Sequence, residues 1–209
     1  MKKITIATQS DIEAVNELRL AMYKNTKGFD AKPPAITWNR SDDQAVVLVA
    51  WEEDKAIGTL RLDLLKDREM VEYRLECPWD FEVPYQAPVA LLGKMAVLKE
   101  HRKSGLNQSL RYHALRIAKE WGAAMASGTM VAASPRKPTM VRMGYTFFDH
   151  PVGWTSPYYK NNEPVLVVCL LREKFDQCMD VCLERCAENL KEFPYDDELP
   201  ERRFTEVKS

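Results

Sequence analysis

The chain has 209 residues, 45% apolar and 29% charged, with 30 basic against 31 acidic side chains. That length fills one sizeable core, the composition suits a soluble globular protein, and a net charge of -1 excludes a strongly basic nucleic-acid binder. No apolar run reaches bilayer length and the start, MKKITIATQSD, has no secretory h-region, so a cytoplasmic location without a membrane partner is expected.

Residues 3–7 (KITIA) predict a short strand. Ser10 or Asp11 then caps a helix whose Ile12, Val15, Leu18, Arg19 and Met22 fall near one face. The segment 25–43, with Gly28, Pro33, Pro34 and Asn39, reads as a loop holding at most a helical turn. Alternation gives a strand at 44–52 and a hairpin partner at 55–65. Residues 66–87 hold Cys77, Pro78, Trp79, Phe81, Pro84 and Tyr85 and read as an irregular aromatic loop, with a short strand expected at MVEYRL.

A strand follows at 88–98 and a helix at 105–121, where Leu106, Leu110, His113, Ile117 and Trp121 recur about every four positions. Residues 123–131 predict a strand, Pro135 and Gly144 bracket a short helix, and 145–149 and 164–171 predict two more strands. The last of these, PVLVVCLL, is expected to be central. From 173 to 190, Phe175, Cys178, Cys182, Leu183, Cys186 and Leu190 make one helical stripe. That helix needs a surface to cover, on its own domain or on a partner, a homodimer included. The charged, proline-containing stretch 191–209 is expected to be a flexible tail. The sum is one α/β domain over 1–172, a mixed central sheet with helices on both faces, plus a C-terminal helix.

Five cysteines without a secretion signal do not make a disulfide scaffold. Cys178, Cys182 and Cys186 stand one helical turn apart, but within the apolar stripe, so packing is expected and no metal. His101, His113 and His150 are too scattered for a metal cluster.

The junction HRKSGLNQSL, 101–110, joins a strand to a helix. The first turn of a helix leaves N–H groups unpaired and favours an anion. Arg102 and Lys103 add charge, Ser104 and Asn107 add polar contacts, and Gly105 leaves the backbone bare. The junction has neither the triphosphate loop of a nucleotidase nor a dinucleotide fingerprint. A capped helix behind a solvated basic turn is the competing interpretation.

MAVLKEHRKSGLNQSLRYHALRIAKEWG resembles the acyl-coenzyme A motif of the GNAT N-acyltransferase superfamily, with Met95, Ala96 and Val97 on the strand and Arg102, Gly105 and Asn107 in the turn. Met143-Gly144-Tyr145 resembles that family's "LGF" step, and the likeness spans about 3–172. It implies a GNAT-like sheet in which the strand at 88–98 splays from that at 123–131. Met95, Ala96 and Val97 would border the thioester. Arg102, Lys103, Ser104, Gly105, Leu106 and Asn107 would cradle the pyrophosphate of acetyl-CoA or another acyl-CoA, or the phosphate of a carrier-protein pantetheine. The family's usual tyrosine acid falls at Val141, and its strand carboxylate is missing.

Acyl transfer to an amine needs a deprotonated amine beside the thioester and donors for the oxyanion. Glu72 and Glu76 are the candidate bases, Arg74 a candidate anion binder, and Trp79, Trp154 and Tyr158 candidate walls of an acceptor or long-acyl pocket. Simple positioning of an already reactive amine is the alternative, as is loop anchoring for the aromatics. The acceptor is expected to be an amine of a small molecule or peptide. Aromatic loops and a C-terminal extension are also loosely similar to N-acyl amino acid synthases and autoinducer synthases, which implies acyl carrier protein as an alternative donor. A catalytically reduced binding protein on the same fold is a further alternative.

Overall fold

The computed structural model describes residues 1–24, 33–151 and 164–206. Trp154 and Tyr158 lie outside these residues. Seven strands form one mixed sheet: β1 (Lys2–Ile6), β2 (Val46–Glu52), β3 (Lys55–Leu65), β4 (Val89–Val97), β5 (Met125–Val131), β6 (Thr146–Asp149) and β7 (Val165–Leu171). Their spatial order is β1-β2-β3-β4-β5-β7-β6, antiparallel except for β4 beside β5. β7 sits one place from the edge, flanked on both sides, which explains its unbroken apolar run.

Seven helices complete the described chain: α1 (Ile12–Lys24), α2 (Pro33–Ile36), α3 (Arg40–Gln44), α4 (Arg68–Leu75), α5 (Leu106–Glu120), α6 (Lys137–Arg142) and α7 (Phe175–Glu192). The segment MVEYRL is helical rather than extended. α4 buries only Val71 and Leu75, so its sequence shows no full apolar stripe. None of the described helices is long and apolar enough to cross a membrane.

Strand alternation sends β3 side chains to two different environments. A Cβ on Gly58 would meet Leu106 and Leu110 of α5, so Leu60, Leu62 and Leu64, of the same parity, line the α5 face. Thr59, Arg61, Asp63 and Leu65 face the other way, toward α1, α3 and α4. The second face carries a separate apolar cluster of Leu65, Val71, Leu75, Trp79, Val89, Leu91, Met125 and Val167.

α7 packs along α5, with Phe175, Cys178, Cys182 and Cys186 each no more than 1% exposed. The helix thus covers its own domain. Each fully buried apolar side chain of this size contributes on the order of 1.5–3 kcal/mol. The stretch after α7, expected as a tail, is a strap as far as residue 206. Tyr195 bridges Ile4, Trp121 Nε1 donates to the Pro200 carbonyl at 2.9 Å, and the Thr205 N–H donates to the Leu64 carbonyl at 2.9 Å. Buried Phe193 anchors it.

Candidate active site

β4 and β5 pair only through Val89–Met125, Ala90–Ala126 and Leu91–Ser127. Beyond that point they part. Gly128 stands at the fork, where a Cβ would come within 2.8 Å of the Leu92 carbonyl oxygen. On its other edge β4 stays bonded to β3, but the register slips between Thr59 and Arg61. Lys94, in the left-handed region at φ 46°, sits in this bulge. The edge of β4 from Leu92 to Val97 therefore faces the gap without a strand partner. From α1, the Tyr23 hydroxyl reaches across to the Met95 carbonyl at 3.3 Å.

β4 runs through a 3-10 turn, Lys99–His101, into the basic junction. Gly105, at φ 97°, is the N-cap of α5, and Ser104 Oγ accepts from the Leu106 N–H at 3.3 Å. The N–H groups of Asn107 and Gln108 belong to the first turn, which lacks intrahelical acceptors. Lys103, Gly105, Gln108 and Arg185 line a shallow cleft there. Asn107 Nδ2 contacts the Met95 sulfur, which ties the helix start to the gap. Packing also requires a bare Gly105, since a Cβ there would clash with the Arg185 carbonyl oxygen of α7.

On the face opposite α5, charged side chains from five elements converge. Asp42 of α3 accepts from Arg19 at 2.9 Å and from Lys94 at 2.6 Å, and Arg61 approaches at 3.8 Å. Asp63 accepts from Arg61 at 2.8 Å and from Arg74 of α4 at 3.1 Å. Both carboxylates are fully buried, and the most exposed of the cations is Arg74, at 13%. Burial alone would raise the Asp42 carboxyl, but Arg19, Lys94 and Arg61 hold it below the usual range. Burial pulls Lys94 down to about 8 against the attraction of Asp42.

The sequence profile of the Acetyltransferase (GNAT) family matches residues 12–145, more than half of the chain. The chain belongs to that family. No curated protein matches it in sequence. Among solved structures, an N-acyl amino acid synthase, FeeM, from uncultured soil microbes is similar at TM-score 0.61 and 12% identity, over 87% of this chain and 97% of that one. A CoA-dependent acyl-homoserine lactone synthase, BjaI, is similar at TM-score 0.58 and 16% identity, over 93% and 91%. An N-acetyltransferase from Staphylococcus aureus is similar at TM-score 0.54 and 12% identity, over 81% and 96%.

As a GNAT-fold protein the chain fits an acyl-CoA in the gap: β4 offers unpaired backbone there, and the gap opens onto the α5 N-terminus. The bulge at Lys94 was not legible in the sequence, whereas the parting of these two strands is what the family resemblance implied. Glu72 and Trp79 are engaged with each other instead. The Glu72 carboxylate accepts from the Trp79 N–H and from Arg68 Nε, both at 2.7 Å, and these bonds hold its pKa below the usual range. A carboxylate so held is a poor base at neutral pH. Trp79 is 4% exposed, edge-on to Phe81 and Tyr85, and so anchors the loop. Glu76 ends α4 in a left-handed cap, φ 58°. Val141 is exposed on α6 and carries no hydroxyl to the gap. Among the described residues no group of three His, Cys, Asp or Glu is disposed to hold a metal.

The charge cluster was missed except for Arg74. Two signals pointed to it: Arg19 lies in the apolar stripe of α1, and RLD interrupts an otherwise apolar internal strand.

Proposed function

We propose that this GNAT protein is an acyl-CoA-dependent N-acyltransferase, moving an acyl group, in the simplest case acetyl from acetyl-CoA, to an amine of a small molecule or peptide. The observation that carries the proposal is the parting of β4 from β5 after Leu91 and Ser127, with a basic helix N-terminus at its mouth.

The pantetheine arm would bond to the open β4 edge and set the thioester carbonyl near Met95 and Ala96. The pyrophosphate would meet the first-turn N–H groups of α5, with Lys103 and Arg102 supplying charge. The amine would then attack the carbonyl directly, and a β4 N–H would stabilise the oxyanion. Cationic surroundings favour the neutral form of an incoming amine, so the cluster beside Lys94 promotes the reactive species without a carboxylate base. The Tyr23 hydroxyl, already at the Met95 carbonyl, is our candidate for protonating the departing thiolate in place of the side chain that Val141 lacks.

Titration of the full chain with acetyl-CoA, CoA and free phosphopantetheine, against R102A/K103A, tests the donor site. Saturable binding that weakens in the double variant supports it; no binding of any CoA form removes it. Binding without transfer to any amine would leave a reduced, non-catalytic GNAT protein. A carrier-protein donor is the second proposal, favoured by the likeness to the N-acyl amino acid synthase FeeM, which extends over more of this chain than the likeness to the acetyltransferase. Transfer from acyl-carrier-protein thioesters at rates well above those from acyl-CoA would establish it.

A further inference from the structure

Among the described residues, Arg19, Arg61, Arg74 and Lys94 face only Asp42 and Asp63 in ion pairs. The cluster therefore carries more positive charge than its own carboxylates balance. Desolvating a cation costs several kcal/mol per ion unless it is paired, so such an excess does not serve packing. The donors bear this out: Arg19 Nε and Nη2 and Arg74 Nε are buried without a hydrogen-bond partner. Arg19 is completely buried.

Beside the cluster there is room. Gly93 pairs with Arg61 across the β3–β4 ladder, so its missing side chain belongs on the same face as Arg61 and Asp63. A Cβ built there meets none of the described residues within 4 Å. Gly93 lies two residues past the last β4–β5 pair and next to the Lys94 bulge. An unbalanced cationic wall, an open space and the parting of the strands thus coincide on one stretch of β4.

We propose that this space is the acceptor subsite and that the acceptor is an amine that also carries a carboxylate, an amino acid in the simplest case. Its carboxylate would lie over Gly93 against Arg61, Arg74 and Lys94, completing the charge balance. Guanidinium forks suit a planar carboxylate. The amine would then point along β4 toward Met95. This assignment rests on the acyltransferase proposal for its chemistry, but the anion subsite itself does not require it.

Calorimetric titration of the full chain, alone and loaded with CoA, with the proteinogenic amino acids and with their carboxamides separates the two. Amino acids should bind at least about tenfold more tightly than the matching amides, because a site built for the carboxylate leaves its donors unpaired without it. R74M should remove that preference. G93V should block amino-acid binding by filling the space while leaving every ion pair in place. Amino-acid binding with these dependences in a protein that ignores acetyl-CoA would keep the anion subsite and discard the donor proposal. Equal binding of acids and amides, no binding of either, or a G93V protein that binds like wild type would overturn the subsite.

Discussion

At the scale of single residues, the informative side chains are polar ones in apolar places. His113 of α5 is 4% exposed and stacks on Tyr195 of the strap, at 4.9 Å between centroids, with Tyr112 edge-on. Neither ring nitrogen has a hydrogen-bond partner among the described residues. Burial, with the nearby Arg116 cation, pushes its pKa down to about 4. Unfolded histidine takes up its proton near 6.5, so between these values the unfolded chain binds more protons than the folded one. Stability therefore falls as pH drops from about 6.5 toward 4, by an amount on the order of 3 kcal/mol at full loss. Urea melts of wild type and H113F across that range check this; the phenylalanine variant should keep the stack and flatten the slope. Glu72 offers a complementary case. E72Q keeps the shape but weakens the bonds to Trp79 and Arg68, so it should cost about 1 kcal/mol. The rate of acyl transfer against pH should keep its profile; a shifted limb would return Glu72 to the chemistry.

At the scale of elements, what could be read from the sequence was whatever repeats with a period. The strands of the β2–β3 hairpin, the apolar run of β7 and the stripes of α5 and α7 follow from alternation or 3.6-residue recurrence. α4 was hidden because a short helix lying over one face of the sheet buries only two residues, Val71 and Leu75. The parting of β4 and β5 was legible only through the family resemblance, since no periodicity marks which backbone meets which. The charged cluster draws on residues from Arg19 to Lys94; Arg19 and the RLD step sit in apolar patterns, but only the tertiary fold brings them to Asp42, Arg74 and Lys94. Gly105 shows how one residue joins two elements. Its φ of 97° already favours glycine, and the α7 backbone occupies the position of a side chain. G105A should therefore destabilise by more than the ~1 kcal/mol of a bare left-handed alanine. It should also push α7 away from the 102–107 turn. Hydrogen exchange is the readout: protection should drop along 182–189 as well as at the turn, whereas a purely local effect would leave α7 protected.

At the scale of the whole molecule, α7 and the strap tie the two ends of the sheet together. α7 brings Phe175, Val181 and three cysteines against α5, and the strap then crosses back to β1 at Ile4 and to β3 at Leu64. Burial holds the Cys186 thiol up at about 11, so it packs as an apolar group rather than a reactive one. Two truncations separate the layers. Ending the chain at residue 172 exposes the stripe on α5 along with the rest of the core edge, and the product should be insoluble; a folded, soluble monomer would mean that α7 serves a partner instead. Ending it at 192 removes buried Phe193 and the Trp121–Pro200 bond but keeps α7. The strap's backbone bonds to Ile4 and Leu64 go with them, so the loss should be at least roughly 2–4 kcal/mol, from one large apolar side chain and several hydrogen bonds. That shorter chain should stay folded and bind acetyl-CoA as before, because the strap touches neither the β4–β5 gap nor the α5 N-terminus. His113 would lose the ring stacked over it and meet water, so its pKa should rise toward the ordinary value and the acid slope of stability should shrink. A truncated protein that keeps the full slope would show that α5 itself, not the strap, buries the imidazole.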